Sequence, residues 1–208
     1  LAASPALLYA AATSLAIGIA AASLAFALAW ALAGAAARSS TWSRTARLAV
    51  LAGWIVPPAV LATGWFIALR GAASLTGLAA ALVIGMNALM ALPFAYQTLA
   101  PAMAAAARRH DRLCANLGIA GWNRFRRVDL PSLRHPALLG LMMAFIVALG
   151  DLTAIALFGS QDLVTLPALI YRQMGSYRFD EAAGTALVLA LVVLALVSLA
   201  ERWSARDD

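Results

Sequence analysis

The sequence predicts an all-α integral membrane protein with five membrane-spanning helices. Of its 208 residues, 64% are hydrophobic and only 12% are charged, a balance that ordinary soluble domains do not show. The apolar residues gather in five long blocks, and about 20 apolar residues suffice to cross a hydrocarbon core of about 30 Å. Arginines stand at the ends of these blocks. Composition, block length and arginine placement together predict a single transmembrane domain over residues 1–208.

The first two blocks are predicted to be spanning helices joined by a cytoplasmic turn. Block 7–37 carries no charge and is long enough to cross as one tilted helix. Block 48–69 has Pro57 and Pro58 at its middle, which remove two backbone donors. This helix is therefore expected to kink against neighbouring helices or a cavity. The Ser/Thr-rich turn between the blocks holds three arginines, which are Arg38, Arg44 and Arg47.

The third block, 77–100, is interrupted by Asn87 and Pro93. Two roles are open for Asn87. Its amide either hydrogen-bonds to a neighbouring helix, as buried asparagines in membrane bundles often do, or lines a substrate path.

A cytoplasmic loop is predicted at 101–136, the only long polar interval in the chain. Residues 107–135 hold seven arginines and two aspartates, a formal net charge of +5. Positive charge near spanning helices resists translocation, which places this loop inside. Leu113 and Leu117 recur at helical spacing, and Gly118 follows as a helix stop.

A second short helix is predicted at 122–128, ended by Leu130-Pro131 because the residue before proline leaves the helical region. Trp122, Phe125 and Val128 then share one face. The segment is either a solvated basic loop or a docking element. The aromatic side chains favour docking, since their exposure is costly unless they pack under the bundle or into another protein.

Cys114 is the single cysteine, so no disulfide forms within the chain. It is interpreted as a small hydrophobic residue on the inner face of the first loop helix.

The fourth block, 137–158, carries Asp151, the one acid inside a span. A charge at the centre of a spanning helix costs roughly 3 kcal/mol, so such groups face protein or water. Asp151 either faces a translocation path or is a structural partner for a helix terminus or an arginine. Asn87 and Thr153 are further candidates for lining such a path.

The outer segment that follows, 159–183, is predicted to hold a short interfacial helix at 163–174. Tyr171 and Tyr177 would lie at the level of the lipid headgroups. The fifth block, 184–200, is the cleanest span of the chain. This span is expected to end at the membrane interface, at Glu201, Arg202 and Trp203.

Arginine placement predicts the orientation of the bundle. All fifteen basic residues are arginine. If the chain starts outside, the inner loops hold three, seven and two of them, and the outer loops hold none, one and two. With twelve arginines in the inner loops and three in the outer loops, this arrangement places the N-terminus outside and the C-terminus in the cytoplasm. Clustering at block ends also favours membrane topology over nucleic-acid binding as the origin of the formal net charge of +6.

The segment from Arg108 to Pro131 resembles the coupling loop of ATP-binding-cassette importer permeases. The consensus of that loop is EAA, three residues, Gly, nine residues, Ile, one residue, Leu-Pro. Four residues fall on this spacing, namely Gly118, Val128, Leu130 and Pro131. At the front, Arg112-Leu113-Cys114 replace Glu-Ala-Ala, and Asp111 lies one position earlier. Together with LGDLTAIALFGS at 149–160 and TLPALIYRQMGSYR at 165–178, the loop resembles the second half of the permeases of thiamine importers.

This resemblance implies a fold and a set of partners. The fold would be the five-helix core of a type I importer permease (MetI-like), one half of a longer fused chain that does not begin here, as the missing initial methionine also suggests. Its partners would be an ATP-binding-cassette ATPase dimer, a periplasmic binding protein, a second permease half and the bilayer, with no nucleic acid. The residues implied for ATPase coupling are Arg109, Arg112, Leu113, Cys114, Leu117, Gly118, Trp122, Phe125, Val128, Leu130 and Pro131.

The chain itself is expected to bind no cofactor and to catalyse no reaction. A GxxxxGK[ST] phosphate loop needs a lysine, and the sequence has none, so ATP and Mg²⁺ would be used by the partner ATPase. His110 and His135 lack metal-ligand spacing to other donors, which predicts no metal site. The substrate implied by the resemblance is thiamine or its phosphates. The alternatives are a permease for ferric iron or a polyamine, and a proton-coupled secondary carrier that uses Asp151.

Overall fold

The computed structural model describes residues 4–69, 75–119, 121–158 and 163–204, and within these ranges every regular element is helical. The helices in chain order are α1 (Pro5–Arg38), α2 (Ser40–Ile55), α3 (Pro58–Leu69), α4 (Leu75–Asn116), α5 (Gly121–Arg124), α6 (Leu130–Gly150), α7 (Thr153–Phe158), α8 (Leu166–Gly175) and α9 (Phe179–Ser204). A π-helical segment, Phe125–Asp129, joins α5 to α6.

The core forms where α1, α4 and α6 pack together. Small residues allow this close approach, which drives helix association in lipid through van der Waals contact. On α1 a stripe of alanines at helical spacing is buried, comprising Ala21, Ala22, Ala25, Ala29 and Ala33. Gly140 of α6 meets α4 so closely that a Cβ there would lie 2.5 Å from Thr98 Oγ1. The alanine-rich composition thus serves helix packing.

The first two predicted spans are present, with one correction. Helix α1 matches block 7–37. The kink predicted at Pro57-Pro58 is confirmed, since the axes of Thr41–Ile55 and Pro58–Ala68 differ by 95°. The predicted Ser/Thr-rich turn before this span is wrong, because only Ser39 is extended and α2 begins at Ser40. Within this helix the hydroxyl of Thr45 is satisfied by Thr41 O, to which its Oγ1 donates at 3.2 Å.

The third span does not end near residue 100 as predicted. Helix α4 runs for 42 residues and passes through Pro93 and Pro101 without ending. Each proline removes one backbone hydrogen bond, but α4 is packed against α1 and α6, and the alanine-rich stretch after Pro101 strongly favours helix. The first half of the predicted loop 101–136 is therefore an extension of a spanning helix.

The prediction that Leu130-Pro131 ends the second loop helix is also wrong. Leu130 is helical, with φ −63° and ψ −46°, and its N–H bonds to Phe125 O. That i to i−5 bond belongs to a π turn, which is wider than an α turn. The widened turn makes room for the ring of Pro131, which would otherwise clash with the preceding turn. The chain thus enters α6 without a break.

The last three predicted elements agree with the structure in kind and differ in bounds. The fourth span begins earlier than residue 137 and is interrupted at Asp151, where φ is −80° and ψ is 119°. Helix α8, at Leu166–Gly175, confirms the short helix predicted at 163–174, and its place on the outer side stays a prediction. Helix α9 is longer at both ends than block 184–200. Part of the predicted outer segment, residues 159–162, lies outside the described residues.

Four helices in the described ranges are long and apolar enough to cross a membrane by themselves. A fifth crossing is counted if the bent pair of α2 and α3 is one span. Over the described residues the chain is therefore all-helical, with four to five apolar helices.

Candidate coupling hairpin and membrane cavity

The turn at Gly118 closes the end of α4 and opens the basic hairpin, the name used here for residues 108–131. Gly118 has φ +63°, in the left-handed region that glycine adopts without steric cost. Ile119 N donates to Cys114 O at 2.9 Å, and Gly118 N donates to Ala115 O at 3.3 Å. These two bonds define a Schellman motif, which satisfies carbonyls at the helix end. The helix stop predicted at Gly118 is confirmed.

An arginine clasp, formed by Asp111, Arg124 and Asp129, joins the two arms of the hairpin. Arg124 Nη2 donates to Asp111 Oδ1, and Arg124 Nε lies 3.5 Å from Asp129 Oδ2. The hydrogen bond to Asp111 raises the pKa of the Arg124 guanidinium above its ordinary value, so this residue stays charged. The clasp holds the end of α4 against the start of the next helical segment.

Sequence reasoning missed this clasp because it used the seven arginines of the loop only as a measure of its positive charge. The signal was present in the composition of the loop, where two aspartates accompany seven arginines. Each arm contributes one aspartate, and Arg124 lies between them along the chain. Only the fold shows that both carboxylates reach the same guanidinium.

The inner side of the hairpin is anchored to the bundle. The ring of Phe125 packs edge-on against Trp30 of α1, with centroids 6.0 Å apart and planes at 80°. Cys114 is 3% exposed, in agreement with its predicted place on the inner face, and Leu133 is equally buried. Phe125 therefore fastens the hairpin to α1.

The outer side of the hairpin presents an apolar strip with basic edges. Leu113 and Leu117 lie one turn apart and are 57% and 70% exposed. Arg109 and Arg112 are exposed beside them on the same helix. Leucines in this position cover no part of the described bundle, which leaves them available for another protein.

The remaining residues implied for coupling lie between these two sides. Leu130 and Pro131 are exposed, and Val128 is half-buried. The backbone of Trp122 belongs to α5, whereas its side chain lies outside the described structure.

At the other end of α6, two polar side chains stabilise the interruption at Asp151. Asp151 Oδ1 accepts a hydrogen bond from Thr153 N at 2.8 Å, which caps the start of α7. Asn87 is 1% exposed, and its Nδ2 donates to Ala148 O at 3.2 Å. Ala148 belongs to the last turn of α6, whose carbonyls have no intrahelical partner. Asn87 thus bonds to a neighbouring helix and Asp151 to a helix terminus. For each residue, this structural contact was one of the two roles left open by the sequence.

A cavity of about 670 Å³ lies beside this interruption. It is bordered by the bend between α2 and α3, by the middle of α4 and by the end of α6. We call it the bend cavity. Of the three residues proposed for a translocation path, Asp151 lines it, whereas Asn87 and Thr153 are not among its lining residues. The sequence predicted that Pro57-Pro58 would kink against helices or a cavity, and both prolines border this one.

Comparisons with known proteins point to one family. Residues 23–205 match the family described as binding-protein-dependent transport system inner membrane component. The chain is 47% identical, over 95% of its length, to the thiamine transport system permease protein of Brucella abortus (strain 2308), of which it covers 37%. It is 40% identical, over 73% of its length, to the thiamine transport system permease protein of Escherichia coli K12, of which it covers 28%.

A more distant relative performs a different transport. The sulfate transport system permease protein of Synechocystis is 29% identical over 53% of this chain, which covers 41% of that protein. The chain thus spans between a quarter and a half of the length of these relatives.

Proposed function

The chain belongs to the family of binding-protein-dependent transport system inner membrane components, and from this membership we propose that it is one half of a permease that passes thiamine across the membrane in an ATP-driven importer. As a member of this family it is a multi-pass inner-membrane protein, and the family's role is transport. The observation that carries the mechanism is the basic hairpin, a rigid turn that is anchored on one side and presents exposed leucines on the other.

Both helices that leave the hairpin, α4 and α6, reach the bend cavity. Helix α4 carries Met90 and Phe94 to the cavity, and α6 brings Ile146 and Val147 there. At 1.5 Å per residue, the 42 residues of α4 extend about 60 Å. A displacement of the hairpin is therefore transmitted to the cavity walls along two helices that continue through their internal prolines.

The hairpin is the element that docks on the ATPase. Its exposed strip, Leu113 and Leu117 with Arg109 and Arg112 at the edge, enters a groove on the partner, while Gly118 sets the turn. Cys114 and Phe125 act from the inner side by fixing the hairpin to the bundle. Trp122, Val128, Leu130 and Pro131 complete the docking segment.

The assembly that we propose has four further components. A dimer of ATPase subunits binds ATP and Mg²⁺ in the cytoplasm, a periplasmic binding protein delivers the substrate, and a second permease half lines the other side of the path. This chain binds no cofactor of its own. The arginine distribution supports an outer N-terminus and a cytoplasmic C-terminus, with five crossings when α2 and α3 form one broken span.

Alternating access follows if ATP binding favours one of two conformations of the paired halves. A ligand shifts such an equilibrium only by its difference in affinity for the two states. The two docked hairpins, one from each permease half, supply this difference in affinity. The distance between them changes when the ATPase dimer closes.

We favour thiamine as the substrate because the two relatives with the higher identity are named thiamine transport system permease proteins. A permease for ferric iron or a polyamine has the same architecture and remains the nearest alternative. A proton-coupled secondary carrier with Asp151 as the proton site is a different class. The anchored hairpin favours the importer, since a carrier of that class has no ATPase to receive it.

The proposal is tested with the full-length permease reconstituted in vesicles with its ATPase and binding protein. We expect uptake of thiamine that requires ATP, and ATP hydrolysis that rises when the binding protein is loaded with thiamine. Vesicles with a non-hydrolysable ATP analogue are the control. Stimulation by iron or putrescine instead would retain the importer and reject thiamine, and uptake driven by a proton gradient without nucleotide would reject the importer.

A further inference from the structure

We propose that the bend cavity is a transit site for an organic cation, held by the carboxylate of Asp151 and the aromatic rings of Trp54 and Phe94. This inference rests on the proposed transport function and assigns the site within the membrane that the substrate passes. Thiamine fits the class, since its thiazolium ring carries a permanent positive charge.

The first argument is the charge around the cavity. Asp151 is the only ionisable residue among the described residues that line it. An isolated carboxylate in an apolar site is costly, and a bound cation offsets that cost. The hydrogen bond from Thr153 N engages Oδ1, which leaves the second carboxylate oxygen for a ligand.

The second argument is the direction of two helices. Both α2 and α6 end at the cavity with their C-termini, where the helix dipole and unpaired carbonyls place partial negative charge. Pro57 and Pro58 strengthen this effect at α2. They have no N–H, so the carbonyls of Gly53 and Trp54 cannot form their usual bonds to residues four positions later. Helix α3 begins at Pro58 on the same cavity wall, and its N-terminal partial positive charge opposes the partial negative charge of the two C-termini, so the carboxylate of Asp151 is what favours a cation there.

The third argument is the pair of aromatic rings. Trp54 of α2 and Phe94 of α4 both line the cavity, with ring centroids 6.1 Å apart and planes inclined by 50°. They are 55% and 38% exposed, so a ligand in the cavity has access to them. Cations bind the faces of tryptophan and phenylalanine rings, and tryptophan is the stronger partner. Both rings border the same cavity, so a single ligand there can contact each of them.

The size of the cavity agrees with this assignment. A volume of about 670 Å³ falls within the range of roughly 300 to 1,000 Å³ typical of small-molecule sites. A transit site must also release its ligand. One carboxylate and two partly exposed rings provide moderate attraction, which suits passage better than storage.

The test uses the reconstituted full transporter and compares thiamine uptake with ATP hydrolysis in the same vesicles. Asp151→Asn removes the charge but keeps an oxygen that accepts the hydrogen bond from Thr153 N. We expect uptake to fall about tenfold in Asp151→Asn, Trp54→Leu and Phe94→Leu. Hydrolysis stimulated by the loaded binding protein should stay at the wild-type level, which also shows that each variant folds and assembles.

Two further variants make the comparison specific. Ile146→Val changes the same cavity wall without removing a charge or a ring, and we expect wild-type uptake. Asp151→Glu retains the carboxylate, and we expect it to restore more uptake than Asp151→Asn does.

The outcomes separate this inference from the proposed function. If the wild type takes up no thiamine, the proposed function fails. If the wild type takes up thiamine and the three variants match it, only the cation site is rejected. The site is also rejected if the variants lose stimulated hydrolysis together with uptake, because the cavity wall then serves assembly of the transporter and not passage of the substrate.

Discussion

At the scale of single residues, the guanidinium of Arg124 determines how the basic hairpin closes. Exposed ion pairs contribute little, typically 0 to about 1 kcal/mol. Arg124 differs because its side chain is only 24% exposed and it binds two carboxylates at once. One of them, Asp129, is 17% exposed. Removing the arginine would leave both aspartates without their common partner.

Arg124→Asp is therefore expected to loosen the hairpin and to lower the stimulation of ATP hydrolysis by the loaded binding protein several-fold. The exchanged pair, Asp111→Arg with Arg124→Asp, restores opposite charges across the hairpin and should recover part of the stimulation. Arg126→Asp, an equal change of charge at an exposed position of the hairpin, is the control. Equal losses in the Arg124 and Arg126 variants, with no recovery in the exchanged pair, would show that only the net charge matters.

Gly118 carries the second prediction at this scale. A residue with a Cβ pays about 1 to 2 kcal/mol at φ +63°, although no atom lies within 4 Å of the place where that Cβ would stand. Gly118→Val should distort the turn and abolish stimulated hydrolysis, as measured in reconstituted vesicles.

Gly118→Asn is the matched control, because asparagine tolerates the left-handed conformation better than any β-branched residue. It should retain most of the stimulation. Full activity of Gly118→Val would mean that the turn does not transmit force to the bundle.

At the scale of helices, close contact between α4 and α6 is decisive, because these two helices connect the hairpin with the cavity. They approach each other closely at Gly140, opposite Thr98 and Ala95. The hydroxyl of Thr98 is held in place by its own bond to Ala95 O at 2.8 Å. A new methyl group at residue 140 has to displace that hydroxyl or separate the helices.

Gly140→Ala is accordingly expected to destabilise the permease by about 1 to 3 kcal/mol through overpacking. Thermal unfolding in detergent measures this as a lowered Tm. Thr98→Ala in the same chain removes the clashing hydroxyl and should raise the Tm again. Gly64→Ala is the control, since a Cβ there meets no atom within 4 Å. An unchanged Tm in Gly140→Ala would show that α4 and α6 separate without cost.

At the scale of the whole molecule, the proposed coupling requires stiffness between the hairpin and the bend cavity. Helix α4 is continuous between them, and glycine weakens a helix interior by about 1 kcal/mol relative to alanine. Replacing Ala104, Ala105 and Ala106 by glycine should make α4 flexible below the cavity. We expect thiamine uptake to fall, while co-purification with the ATPase persists because the docking strip is unchanged.

The control places the same three changes in α9, at Ala186, Ala190 and Ala195. Helix α9 neither leaves the hairpin nor lines the bend cavity. Uptake should remain near the wild-type level there. Equal losses in both triple variants would indicate general destabilisation and would contradict a specific role of α4 as a lever.

Local rules explain which features could be predicted. The glycine stop at Gly118, the kink at Pro57-Pro58 and the burial of Cys114 depend on neighbours along the chain, and all three are confirmed. The predicted breaks at residue 100 and at Leu130-Pro131 were wrong, because tertiary packing and a π turn allow helices to pass prolines. The docking and translocation roles of the individual residues stay predictions.

The sequence by itself determined that the chain is a helical membrane protein with a basic, glycine-closed hairpin, because composition, apolar block length and backbone sterics act locally. Only the tertiary structure decided which distant groups meet. Asp111 and Asp129 share one guanidinium, and Asn87 binds the end of α6. Trp54, Phe94 and Asp151 lie far apart in sequence but border one cavity. These long-range contacts depend on the angles and positions at which the helices cross. The packing of small residues along the whole bundle sets that crossing geometry.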